Sequence, residues 1–276
     1  MPELPEVETV VRDLCAARVA GRQIRRVEVL HPSVIAGVKP REFIRRLTGR
    51  KITAITRRAK FIVFHLNGGE LLTLHLRMTG QLHLARKARD DKHDHLHLML
   101  NDGRMLIYHD PRLFGRWKLA RDAAAIFHVL GPEPLDGSLT PAEFATRLRR
   151  HHRQLKPLLL DQTFLAGLGN IYADESLFAA RLHPRRRANK VKPEQALVLF
   201  TAIRKILNAA IRARGTTLGL GEGNFAAPHG GGRGHFLERL RAYGRTGEPC
   251  DRCGALIKRI VVGQRSTHFC PQCQRM

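Results

Sequence analysis

The chain is short of acidic residues, of cysteines and of long apolar stretches, and each shortage narrows what it can be. Its 276 residues hold 24 Asp plus Glu against 48 Lys plus Arg, a formal charge of +24. A polyanion is therefore the expected partner, and nucleic acid is the natural one. No apolar run approaches the roughly 18 residues of a spanning helix, no basic amphipathic anchor stands out, and the acidic, proline-containing start is unlike a signal peptide. The expectation is a cytoplasmic protein without a membrane partner. No internal repeat is present. With 43% hydrophobic residues, disorder is not expected, and the length suffices for two domains with their own cores.

The chain has five cysteines, and four of them fall in its last 27 residues as Cys250-x-x-Cys253 and Cys270-x-x-Cys273, with 16 residues between the pairs. In a reducing compartment that spacing reads as one tetrahedral zinc site on a ribbon rather than as a disulfide pair. The remaining Cys15 sits in an apolar helical run beside Leu14 and reads as a small buried residue.

The amino terminus, Met1-Pro2-Glu3-Leu4-Pro5-Glu6, carries the most chemistry. Removal of Met1, which the small Pro2 permits, leaves a secondary amine that titrates about two units below a lysine. Attack of that amine on a sugar C1′ gives an iminium that has no proton left to lose, an electron sink for eliminating a neighbouring phosphate. Glu3 is the acid beside it, suited to protonate a ring oxygen or a departing base. The same residues also begin a helix, with Pro5 in the first turn, Glu6 and Glu8 at the positive end of the dipole, and Val7, Val10, Val11 and Leu14 on one face.

Residues 24 to 119 read as strands at Ile24 to Leu30, Lys51 to Thr56, Phe61 to Leu66, Leu71 to Leu76, His95 to Leu100 and Met105 to Tyr108. Asn67-Gly68-Gly69 and Asn101-Asp102-Gly103 supply hairpin loops. His93, His95 and His97 alternate as three metal ligands on one strand face would, although a polar face accounts for them equally. Lys60 lies at the mouth of this β domain, where it suits a phosphate contact, as does Arg265 at the tip of a zinc hairpin.

Leu130-Gly131-Pro132-Glu133-Pro134 reads as a linker, after which the period becomes helical. Thr140-Pro141-Ala142-Glu143 is a capping box, Leu155 to Leu160 a short helix, and Ile171 to about Arg181 and Pro193 to about Arg214 two further helices. The free amides at Gly169 and Asn170 suit a phosphate at a helix start. Residues 215 to 235 are rich in glycine and read either as a lid or as a plain linker.

In this order the segments MPELPEVETV, RRAKFIVF, LHLRMTG, KHDHL, DPRLFGRW, LGPEPL, GLGNIYADESLFAARLHP, GTTL and YGRTGEPC, followed by the cysteine pairs, resemble the bacterial formamidopyrimidine-DNA glycosylases over nearly the whole chain. The resemblance implies an α+β multidomain protein: an N-terminal β-sandwich with a flanking helix over residues 1–130, a helical helix-two-turn-helix domain over 131–240 with a flexible lesion loop at 215–235, and a four-cysteine zinc ribbon over 241–276. It implies a bifunctional glycosylase and lyase for oxidised purines in damaged double-stranded DNA, acting as a monomer with one structural Zn2+, cytoplasmic and associated with the nucleoid.

By the same resemblance, Pro2 is the Schiff-base nucleophile, Glu3 the proton donor in excision, and Lys60 the proton donor for β-elimination. Arg265 holds a phosphate and assists δ-elimination. His93, Arg112, Lys156 and Asn170 contact DNA, and Met78, Arg112 and Phe114 fill the stack where a nucleotide is flipped out. Leu113 stands where many members carry a second basic residue. Alternatives are an endonuclease VIII-like enzyme for oxidised pyrimidines, against which Leu4 argues, and a non-catalytic damage-binding protein, which requires an unprocessed or buried N-terminus.

Overall fold

A computed structural model describes residues 2–216, 224–227 and 230–276. The chain divides into two compact units, one of Met1–His128 with Arg214–Gly234 and one of Val129–Ala213 with His235–Met276. Residues 217–223 and 228–229 of the glycine-rich segment read as a lid or linker lie outside the described residues.

The first unit begins with helix α1 (Leu4–Ala16), continues through β1 (Ile24–Val29), β2 (Ile35–Ala36), α2 (Pro40–Leu47), β3 (Ile52–Arg58), β4 (Phe61–Leu66), β5 (Leu71–His75), β6 (Gln81–Ala85), β7 (Asp94–Leu100), β8 (Met105–His109), β9 (Arg116–Ala120) and α3 (Ala124–Phe127), and later adds β10 (Phe225–Ala227) and β11 (Gly230–Gly231). One sheet has the order β1-β7-β8-β6-β10-β11 and the other β2-β9-β5-β4-β3. Hairpin geometry follows the turn residues: Gly68 and Gly69 between β4 and β5, and Gly103 between β7 and β8, adopt positive φ.

Alternating apolar residues from both sheets, among them Phe64, Leu72, Leu74, Leu82, Leu96, Leu98 and Leu106, close one core, and Val7, Val10 and Leu14 of α1 pack into it. Trp117, the only tryptophan in the chain, stacks on Phe64 with ring centroids 5.8 Å apart.

Two readings of this unit are corrected. The alternation of His93, His95 and His97 is broken by a register shift between Asp94 and Leu96, so no three-histidine face forms; the His95 ring bonds the Asp110 carbonyl at 2.9 Å instead. Cys15 is exposed, with its Sγ 3.7 Å from the Ile55 carbonyl.

In the second unit, α4 (Pro141–Arg149) starts at the Thr140–Glu143 capping box, followed by α5 (Leu155–Leu160), α6 (Asn170–Ala179), the long α7 (Pro193–Arg212) and the hairpin β12 (Lys258–Val262) and β13 (Arg265–Phe269). The link from α5 to α6 is a double turn tied by side chains. Asp161 accepts the Thr163 N–H at 2.9 Å, and Gln162 accepts the Gly167 N–H at 2.9 Å while donating to the carbonyls of Leu160 and Leu168. The ribbon docks on α6, where Phe178 clusters with Ala242, Ile257, Cys250 and Cys270.

Candidate active site and nucleic-acid interface

Pro2 and Glu3 are both buried at the head of α1. Glu3 is the N-cap, and its N–H donates to Glu6 Oε2 at 2.9 Å in a reciprocal capping box. The other Glu6 oxygen accepts both the N–H and the hydroxyl of Thr216, at 2.7 and 3.0 Å. Arg214 adds two bonds to the Asp13 carboxylate, at 2.9 and 2.7 Å. The start of α1 and the chain leaving α7 are thus held together within the first unit, and Gly215 has to be glycine: its φ is +78° and a Cβ there would lie 2.7 Å from Glu6 Oε1.

Lys60 is buried in the two-residue turn between β3 and β4, beside Ala59, whose φ is 51°. Burial, then the charges of Arg77 and Lys60, push the His75 imidazole down to about 3. Neutral His75 accordingly accepts the Arg77 N–H at Nδ1, at 3.0 Å, and so orders the loop that carries Met78.

Met78, Arg112 and Phe114 come together on the surface. Arg112 Nη1 lies 3.7 Å from the Met78 sulfur, and its guanidinium carbon sits 4.6 Å from the centre of the Phe114 ring. Met78 is 44% and Phe114 46% exposed, high values for large apolar side chains. Each loop holds a non-glycine residue at positive φ next to its projecting side chain, Arg77 and Leu113, both at 56°. His93 is half-buried nearby, its carbonyl accepting the Asp110 N–H at 2.9 Å.

Beneath these loops lies a group not expected from the sequence. The Asp110 carboxylate is fully buried and accepts from the Thr79 and Tyr108 hydroxyls and from the N–H groups of Arg112 and Gly115. Burial works against its charge, but those four donors hold it below the usual carboxylate range. Burial likewise pushes the Tyr108 phenol up, so it stays a donor. The acidic residue of Asp110-Pro111-Arg112 was visible in the sequence; its donors, 31 residues upstream and five downstream, were not.

In the second unit the start of α6 and the ribbon hairpin are joined. Asn170 Nδ2 donates to the Ser266 carbonyl at 3.1 Å, one residue from Arg265. Val262 pairs with Arg265 across a two-residue turn of Gly263 and Gln264, both at positive φ, which leaves Arg265 exposed at the tip.

Lys156, expected to contact DNA, is held inside the second unit. Its ammonium is fully buried, paired with Asp174 and donating to the Asn170 carbonyl at 3.2 Å. Asp174 in turn accepts the His268 N–H at 3.0 Å, and Glu175 accepts the N–H groups of Ala242 and Tyr243, each at 2.8 Å. Lys156 therefore braces the end of α6 from inside, because a buried cation needs a buried anion.

The sulfurs of Cys250, Cys253, Cys270 and Cys273 form one group, with Cys253–Cys270 and Cys253–Cys273 at 3.5 Å and Cys250–Cys273 at 3.9 Å. A tetrahedral zinc with Zn–S of about 2.3 Å places its sulfurs about 3.8 Å apart. Backbone N–H groups of Arg252 and Cys273 point at Cys250 and Cys270 Sγ, as thiolate ligands require. The ribbon is built for one structural zinc ion.

Fold and site define a zinc-ribbon, helix-two-turn-helix class of DNA-binding protein. Three family descriptions match in order: the formamidopyrimidine-DNA glycosylase N-terminal domain at residues 1–117, its H2TH domain at 130–221, and the zinc finger found in FPG and IleRS at 247–275. A formamidopyrimidine-DNA glycosylase of Herpetosiphon aurantiacus is 47% identical over 99% of this chain and all of its own length. One of Protochlamydia amoebophila is 41% identical over the whole of both chains.

Among solved structures, a Lactococcus lactis FPG mutant bound to DNA containing Fapy-dG matches with a TM-score of 0.92 at 38% identity, covering both chains fully. The Lactococcus lactis Fpg complex with DNA containing an abasic site matches with a TM-score of 0.90 at 38% identity, again over both chains in full. The chain belongs to the formamidopyrimidine-DNA glycosylase family.

Proposed function

We propose that the protein is a bifunctional DNA glycosylase and abasic-site lyase of base excision repair that removes oxidised purines, 8-oxoguanine and formamidopyrimidines, from duplex DNA. The observation that carries this reading is the buried Pro2–Glu3 pair capping α1, in a chain related to these glycosylases along its whole length. With Met1 removed, the Pro2 nitrogen forms a bond to C1′ as the glycosidic bond breaks and its electron pair leaves with the base. Glu3 delivers a proton to the opening sugar, O4′ leaves C1′, and the product is an iminium.

Loss of a C2′ proton to a base, with its electron pair taken up by this cation, gives an enamine; the enamine expels the 3′ phosphate and becomes an unsaturated iminium, and Lys60 supplies the proton this elimination needs. A further elimination releases the 5′ phosphate, which Arg265 holds with Asn170. Met78, Arg112 and Phe114 occupy the gap left by the flipped nucleotide, and His93 contacts the backbone. The protein works as a monomer on nucleoid DNA in the cytoplasm.

The test is single-turnover cleavage of duplexes carrying 8-oxoguanine, a formamidopyrimidine or an oxidised pyrimidine. Preference for the two purine lesions, with strand nicking, is expected. Preference for the pyrimidine, or binding without release of a base, contradicts the reading.

A further inference from the structure

The three side chains that fill the DNA stack come from two loops with no backbone hydrogen bond in common among those described, Leu76–Gly80 and Asp110–Gly115. A wedge that separates stacked bases is pushed back by them, so the two loops need a stiff connection. One side chain provides it. Asp110 Oδ1 takes the Thr79 hydroxyl from the Met78 loop and the Arg112 N–H, at 3.2 Å, from its own loop. Asp110 Oδ2 takes the Tyr108 hydroxyl and the Gly115 N–H, each at 2.9 Å. The Asp110 carbonyl is held as well, by the His95 ring.

Packing leaves no room for a side chain at two positions beside this carboxylate. A Cβ on Gly115 would lie 1.8 Å from the Tyr108 hydroxyl, and one on Gly80 would lie 2.5 Å from the Leu76 carbonyl and 3.0 Å from the same hydroxyl. Both loops therefore close on a single phenol–carboxylate pair, with strained residues Arg77 and Leu113 immediately beside the projecting side chains.

We infer that Asp110 is a positioning residue that locks the Met78 and Arg112–Phe114 loops into one rigid wedge. This rests on the stack-filling role given to those side chains above. The carboxylate touches no reacting atom; it matters only when there is a stack to hold open. Four donors converge on two oxygens, so an amide there turns one oxygen into a donor and leaves two of the four without an acceptor.

The experiment compares two substrates in single-turnover cleavage. One is 8-oxoguanine opposite cytosine in duplex DNA, which must be unstacked. The other is an abasic site in single-stranded DNA, where the same Pro2 and Glu3 act and no stack exists. Asp110→Asn is expected to slow the duplex reaction by about 10- to 100-fold, the scale of a displacement of about an ångström, and to leave the single-strand reaction within about twofold of wild type. Thr79→Val removes only one tie and guards against misfolding of the first variant; about 3- to 10-fold is expected, again on the duplex alone. The emission of Trp117, 5.8 Å from the Tyr108 ring, checks that the core is intact.

Equal losses on both substrates, or none on either, overturn the inference. If the functional reading itself is at fault, the wild type does not cut the 8-oxoguanine duplex, whatever it does to the abasic site, a result distinct from either of these.

Discussion

At the scale of single residues, we propose that the guanidinium of Arg112 reads the base left opposite an extruded lesion. It stands between Met78 and Phe114, which are apolar and can only wedge, and it has paired donors for the acceptor edge of cytosine that adenine does not match. A bidentate contact of this kind is worth about 1 to 3 kcal/mol of discrimination, roughly 5- to 150-fold. Arg112→Ala should therefore lower the ratio of cytosine- to adenine-paired 8-oxoguanine excision by that order, with a smaller loss in the chemical step. An unchanged ratio reduces Arg112 to a packing residue. At this scale the sequence names candidate residues but not their surroundings. The resemblance names Lys156 as a DNA contact, and nothing near it in the chain announces that Asp174, 18 positions on, will be buried against it. Likewise nothing near Asp110 in the chain announces that Thr79 will bond to it.

At the scale of elements, α1, which follows the proposed nucleophile Pro2, is fastened by Glu6 to the chain emerging from α7, a contact spanning 210 positions. Gly215→Ala should be costly for two reasons, the φ of +78° and the approach to Glu6. About 1 to 3 kcal/mol of stability is expected to be lost, read as a fall of several degrees in Tm, together with slower excision as the head of α1 shifts. A silent substitution there would mean that Glu6 does not position the terminus.

Strands bounded by glycine turns, such as β4, β5, β7 and β8, were legible to within a residue or two. β6 and β9 were not, because their neighbouring bends are built on Asp110 and on Tyr108 contacts rather than on turn dipeptides. The short α2 has only Phe43, Ile44 and Leu47 to mark its face. The zinc ribbon was legible because four-cysteine spacing constrains chemistry directly. Removing zinc should unfold the ribbon alone, since its small cluster of Ala242, Ile257, Cys250 and Cys270 has few other supports. A chelated sample should lose far-UV structure and DNA affinity while Trp117 in the first unit keeps its emission. Full affinity in a metal-free sample contradicts this.

At the scale of the whole molecule, a formal charge of +24 makes DNA affinity largely a matter of counterion release. No helix among the described residues is long and apolar enough to cross a membrane. With about six phosphate contacts, affinity for a lesion duplex should fall about 10³-fold between 50 and 200 mM salt. A flat titration contradicts a phosphate-dominated interface. The central claim, however, is chemical: the chain reacts through its own terminus. Borohydride reduction during turnover on an 8-oxoguanine duplex, followed by digestion and mass spectrometry of the crosslinked peptide, tests it directly. The account predicts a stable protein–DNA adduct with the sugar on the nitrogen of Pro2 in a chain lacking Met1. An adduct on Lys60, or none at all while the strand is still cut, contradicts it.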